Sequence, residues 1–95
     1  MSRAVWKYPL PLPSGHAFTL NVPDGRFEPL FLCSQPHVGP CLWAEVEPDT
    51  PAVAHPLVWV PTGAAVPPTG HYLGTLLFHG GTLVYHLYAL TADPF

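Results

Sequence analysis

Fourteen prolines, spread so that few stretches of ten residues escape one, set the limits on what this chain can become. An internal proline costs a helix about 3 kcal/mol, because it removes a backbone donor and its ring collides with the carbonyl one turn back. Helices are therefore excluded from most of the chain, and strands joined by turns remain. This much proline, with eight glycines beside it, approaches low-complexity composition. Against that, 48% of residues are hydrophobic, including three Trp, four Tyr and five Phe, enough apolar surface to build a core. The 95 residues suit a single domain, since a chain of this mass hides roughly 60–65% of its extended surface on folding.

The pattern of apolar and turn residues predicts about seven short strands. Residues 4–10 are aromatic and end at Pro9-Leu10-Pro11, as suits an edge. In 16–22, Phe18, Leu20 and Val22 alternate with Ala17, Thr19 and Asn21, and Pro23-Asp24-Gly25 then turns the chain. Residues 26–34 carry the continuous apolar run Leu30-Phe31-Leu32-Cys33 expected of a strand buried on both faces. A hairpin around His37 to Gly39 leads into 41–46, which holds Trp43 and sets Glu45 and Glu47 on one face. After a Pro-rich loop, 55–61 alternates Leu57 and Trp59 with Val58 and Val60, and a second long loop covers 62–70. Residues 72–78 and 82–88 flank His79-Gly80-Gly81, and Gly-Gly favours a tight hairpin turn. Positions whose numbers sum to about 161 then face each other. Residues 89–95 read as a frayed tail. The expected fold is all-β, a small antiparallel β-sandwich or partly open barrel with long Pro-rich loops.

Arg3, Lys7 and Arg26 are the only fixed cations in a chain of net charge −3, so DNA and RNA, which draw on many phosphate contacts, are not expected partners. No apolar run approaches about eighteen residues and no cleavable leader is visible, which points to a cytoplasmic protein without a membrane partner. With charged residues at 9%, some apolar surface is expected to be covered by another copy, making a homo-oligomer. Cys33 and Cys41 are too few for a disulfide scaffold and are expected as reduced thiols. A hairpin disulfide is the competing reading, and needs their Cα atoms within roughly 7 Å. The histidines at 16, 37, 55, 71, 79 and 86 show no spacing that aims two at one metal, and His71 and His86 are at best near neighbours across the last hairpin. Cys33 lies in an apolar run, no serine sits in a G-x-S-x-G elbow, and no helix follows Gly80-Gly81 to make a phosphate loop. Neither an enzyme nor a cofactor is expected.

Aromatic recognition remains. Trp6, Tyr8, Trp43, Trp59, Tyr72, Tyr85 and Tyr88 exceed what a core of this size requires; most are expected to fill it, and the rest to meet a ligand or partner. Trp6-Lys7-Tyr8-Pro9-Leu10, Pro40-Cys41-Leu42-Trp43-Ala44, Thr62-Gly63, Tyr72-Leu73-Gly74-Thr75 and Gly80-Gly81-x-Leu83-Val84-Tyr85-His86 together resemble a family of small bacteriophage proteins that carries a domain of unknown function. The resemblance implies phage origin and supplies no catalytic residues. Small phage proteins of this kind are often accessory factors, which suggests a sponge that sequesters a small cyclic nucleotide signal of host immunity without cleaving it. In that reading Lys7, Tyr8, Trp43, Thr62, Gly63 and Tyr72 contact the ligand, with Tyr8 or Trp43 stacking on a base and Thr62 meeting phosphate. The alternatives are a protein-binding inhibitor or adaptor of a host defence factor, and a minor virion or assembly component.

Overall fold

The stretches between turns extend into seven strands: β1 (Ala4–Pro9), β2 (Phe18–Pro23), β3 (Phe27–Gln35), β4 (Gly39–Val46), β5 (Ala52–Pro61), β6 (Gly70–Phe78) and β7 (Leu83–Leu90). The computed structural model describes residues 2–90. All pairings are antiparallel. They form a three-stranded sheet in the order β1-β4-β3 and a four-stranded sheet in the order β2-β5-β7-β6. Prolines within strands mostly fall where no donor is missed, and at Pro40, paired with Leu10, only one of the two ladder bonds forms. Pro29 lies on an edge strand, Pro56 lies where β5 has only β2 beside it, and Pro40 lends its carbonyl to the Leu10 N–H at 2.9 Å. Among the described residues no helix is long and apolar enough to cross a membrane.

The two sheets face each other across one core. Leu42 enters it from β4, Leu57 and Trp59 from β5, Leu76 from β6, and Leu87 and Ala89 from β7. Trp59 buries its ring and donates its indole N–H to the Pro11 carbonyl at 3.0 Å, which pins the connection from β1 to β2. Along one side the sheets close up, because Gly74 of β6 lies under Leu32 of β3. A Cβ at position 74 would stand 2.9 Å from Leu32 Cδ2 and 3.1 Å from its Cβ, so only glycine permits this approach. Where the chain crosses between sheets, two turns are tied together. Asp24 N–H donates to the Pro51 carbonyl (2.8 Å), and Gly25 N–H to Thr50 Oγ1 (3.0 Å), whose own proton goes to the Glu47 carbonyl (2.8 Å).

The sandwich alternative is the one adopted, and several local expectations are corrected. The run Leu30-Phe31-Leu32-Cys33 is not buried on both faces: β3 is an edge strand, interrupted by a bulge between Pro29 and Phe31, and Leu30 and Phe31 are 50% and 60% exposed. The strand enclosed on both faces near the hairpin is β4, where Pro40, Cys41 and Leu42 are buried in succession. Glu45 lies on β4, but Glu47 is in the following turn rather than on the same strand face. Residues 16 and 17 precede β2, while β5 begins at Ala52 and β6 at Gly70, earlier than expected. In the tail expected to fray, Ala89 and Leu90 complete β7 with Ala89 fully buried, and residues 91–95 lie outside the described residues. Cys33 and Cys41 stand opposite each other in the β3–β4 register as free thiols. At the last hairpin Thr82 N–H closes onto the His79 carbonyl (3.3 Å), with Gly80 and Gly81 at φ of 66° and 94°. That is the positive-φ pair a right-twisted hairpin requires.

Candidate functional site

The outer face of the four-stranded sheet carries the most organised polar cluster. Its register sets Thr75 of β6 and Val60 of β5 on either side of His86 of β7, and Tyr72 beside Tyr88. Thr62 extends the β5–β7 ladder by one step, its N–H donating to the Val84 carbonyl at 3.2 Å. Gly63 then turns the chain at φ 95°, and Ala64 N–H returns to the Pro61 carbonyl (3.1 Å). This turn folds back over the sheet and leaves a shallow cavity of about 240 Å³. Val60, Val66 and Tyr88 form its apolar walls; Thr62, Gly63 and His86 line its polar side.

Four side chains form a continuous hydrogen-bond chain that ends in the cleft at His86 and Thr62. Tyr72 OH bonds to Thr75 Oγ1, Thr75 Oγ1 lies 2.9 Å from His86 Nδ1, and His86 Nε2 lies 2.9 Å from Thr62 Oγ1. Thr62 Oγ1 is also 3.4 Å from the Val84 carbonyl oxygen, which can only accept. Assigned from that end, Thr62 donates to the carbonyl, His86 donates its Nε2–H to Thr62, and Thr75 donates to His86 Nδ1 while accepting from Tyr72. Each hydroxyl in the middle of the chain thus gives one bond and receives one. In this tautomer the imidazole presents a proton, not a lone pair, to the Thr62 hydroxyl. The arrangement fixes donors and acceptors at the cleft and does not activate Thr62 as a nucleophile.

The residues singled out from the sequence divide between the two faces of the sandwich. Thr62 and Gly63 line the cleft, and Tyr72 joins it through Thr75. Lys7 and Trp43 lie on the outer face of the other sheet, in one cross-strand row with Phe31. There the Trp43 and Phe31 rings are 5.8 Å apart, and Lys7 Nζ donates to Gln35 Oε1 at 3.0 Å. Tyr8 points inward and packs edge-on against Phe27 at 6.3 Å; its hydroxyl is buried without a partner among the described residues, and burial raises its pKa. Thr75, His86 and Tyr88 were not singled out as ligand residues. The signal for two of them lay in the hairpin register itself, since 75 and 86 are positions that face each other about Gly80-Gly81.

Charge is segregated away from the cleft. Arg3 and Arg26 flank Glu45 on the three-stranded sheet at 3.2 and 3.4 Å, with Arg26 also on Glu28 at 3.1 Å. Lys7 lies on that same sheet. No fixed charge lines the cleft among the described residues, and no three His, Cys, Asp or Glu side chains among them gather into a metal-holding group.

Fold and site together define a small antiparallel β-sandwich that carries a shallow, uncharged, aromatic-walled cleft on the outer face of its larger sheet. The chain belongs to the family defined by a domain of unknown function (DUF7352), whose model matches residues 1–94. No curated protein and no solved structure matches it.

Proposed function

We propose that this protein is a phage accessory factor that counters host defence in the host cytoplasm, binding a small cyclic nucleotide signal as a homo-oligomer and holding it uncleaved. The observation that carries this reading is the Tyr72–Thr75–His86–Thr62 chain at the rim of an apolar-walled cleft. A base laid against the Tyr88 ring gains on the order of 1–3 kcal/mol by stacking. The Thr62 hydroxyl offers a neutral polar contact, and Gly63 carries no side chain to hold a phosphate away. The cavity of about 240 Å³ falls below the roughly 300–1,000 Å³ of complete ligand sites. It therefore takes one base-sized part of the ligand, and the rest lies along the sheet surface or against another copy. In the assigned tautomer the cleft-lining Thr62 hydroxyl meets the His86 Nε2–H rather than a base, while the basic Nδ1 is taken up by Thr75.

A thermal-shift screen of linear and cyclic di- and trinucleotides tests this reading, with recovery of intact ligand checked by chromatography. One nucleotide class is expected to raise Tm by several degrees and to be recovered unchanged, as binding to the native state requires. Thr62→Val and Thr75→Val are expected to abolish the shift while lowering unliganded stability by only about 1 kcal/mol each. If no nucleotide shifts Tm at near-millimolar concentration, the sponge reading fails. The second reading then stands: an inhibitor or adaptor that docks on a host protein through Phe31 and Trp43, favoured by the exposure of the Phe31 ring.

A further inference from the structure

The outer side of β1 is an unused pairing edge. β1 bonds to β4 on one side, and among the described residues no strand pairs with its other side. Leu10 N–H donates to the Pro40 carbonyl, and these two residues continue the register in which Pro9 faces Cys41. Leu10 therefore marks a hydrogen-bonded pair. Such pairs alternate with non-bonded ones along an antiparallel ladder, so Tyr8, Trp6 and Ala4 also turn their backbone groups toward β4. Val5 and Lys7 then turn theirs outward, each with a free N–H and C=O, and Pro9 adds a carbonyl. Trp6 shares the inward row with Tyr8, 6.5 Å between ring centres, yet remains 40% exposed, since no described strand lies beyond this edge.

We propose that two copies of this chain dimerise by antiparallel pairing of β1 with β1, with Trp6 opposite Trp6 across a two-fold axis. Only registers centred on Val5, Trp6 or Lys7 bring the outward-facing groups of both copies together. Centring on Lys7 sets that ammonium against its own copy, and centring on Val5 sets Lys7 against Arg3. Like charges directly opposite are destabilising. Centring on Trp6 opposes Val5 to Lys7 and Arg3 to Pro9, so no like charges meet and the Val5 and Lys7 backbones exchange bonds in both halves of the interface. Lys7 then enters a row that continues through Val5 to Glu45 and Glu28. The two Trp6 residues form a non-bonded pair, the closer kind at about 4.5 Å between Cα atoms, and cover each other's exposed faces. The result is a continuous six-stranded sheet. It gives the homo-oligomer of the functional reading a definite interface, on the sheet that does not carry the cleft.

Sedimentation velocity on the full chain at tens of micromolar, without any nucleotide, tests the dimer separately from the ligand screen. The unaltered protein is expected to sediment as a dimer. Val5→Pro is expected to give a folded monomer, since it removes an outward N–H and no bond to β4. Trp6→Cys is expected to form, under mild oxidation, an intermolecular disulfide that peptide mapping places between the two position-6 residues, as their Cα spacing allows. A monomer at every concentration, a dimer that persists in folded Val5→Pro, or no disulfide at position 6 overturns the proposal. Should Val5→Pro not fold, the disulfide decides the matter alone.

Discussion

His55 of β5 faces inward opposite Leu20 of β2, with its ring 5.4 Å from that of Phe27. Burial disfavours the imidazolium and lowers its pKa. The unfolded chain takes up this proton near about pH 6.5, and the folded chain only at lower pH. His55 therefore leaves stability intact above the unfolded value and lowers it as pH falls from there toward the folded value. Tm measured between about pH 7 and 5 is expected to decline less steeply in His55→Gln than in the unaltered protein. At this scale the cleft was half legible. Thr62, Gly63 and Tyr72 stood out as contact residues through the family motifs, whereas His86, part of the same motifs, carried only a candidate metal role beside His71. The register that separates those two histidines is the same one that sets Thr75 against His86. Lys7 and Trp43 belong to the same motifs but lie across the sandwich, because sequence motifs carry no record of which sheet face a strand turns outward.

Among the elements, the misjudged strand is the informative one. Four apolar residues in a row ordinarily mean burial on both faces, but the bulge at Leu30 shifts the alternation, so that Leu30 and Phe31 emerge into solvent while Leu32 turns in. A bulge leaves no compositional trace in such a run, whereas the Gly80-Gly81 turn announced itself through a φ that other residues avoid. Gly74 is where β3 and β6 depend on each other. Gly74→Ala is expected to lower stability by about 1–3 kcal/mol in urea denaturation, since Leu32 must move off β6 to admit the methyl group. The loss falls on the closed side of the sandwich, while the cleft residues on the outer face keep their bonds.

For the whole molecule, strand count and fold class were legible because prolines and turn residues punctuate the chain, and extended segments are what they leave. Which strands pair was legible only for the two hairpins, β3 with β4 and β6 with β7. β1 joins β4 and β2 joins β5 across long stretches of sequence, and local pattern holds no information about such distant partners. A topology so rich in non-local pairs is expected to refold in milliseconds to seconds, slower than a helical domain of equal length, as stopped-flow tryptophan fluorescence would register. The strand order also separates the two sheets in time. During synthesis, every strand of the three-stranded sheet has been made once β4 is complete, whereas β2 waits for β5 and the larger sheet waits for β7. The nascent chain thus carries one finished sheet with its greasy side uncovered until β7 is made. Newly made copies clustered on one message are most prone to stick to each other in that interval, and a chaperone that shields the Leu42 side of the early sheet would matter more to yield than any late proofreading.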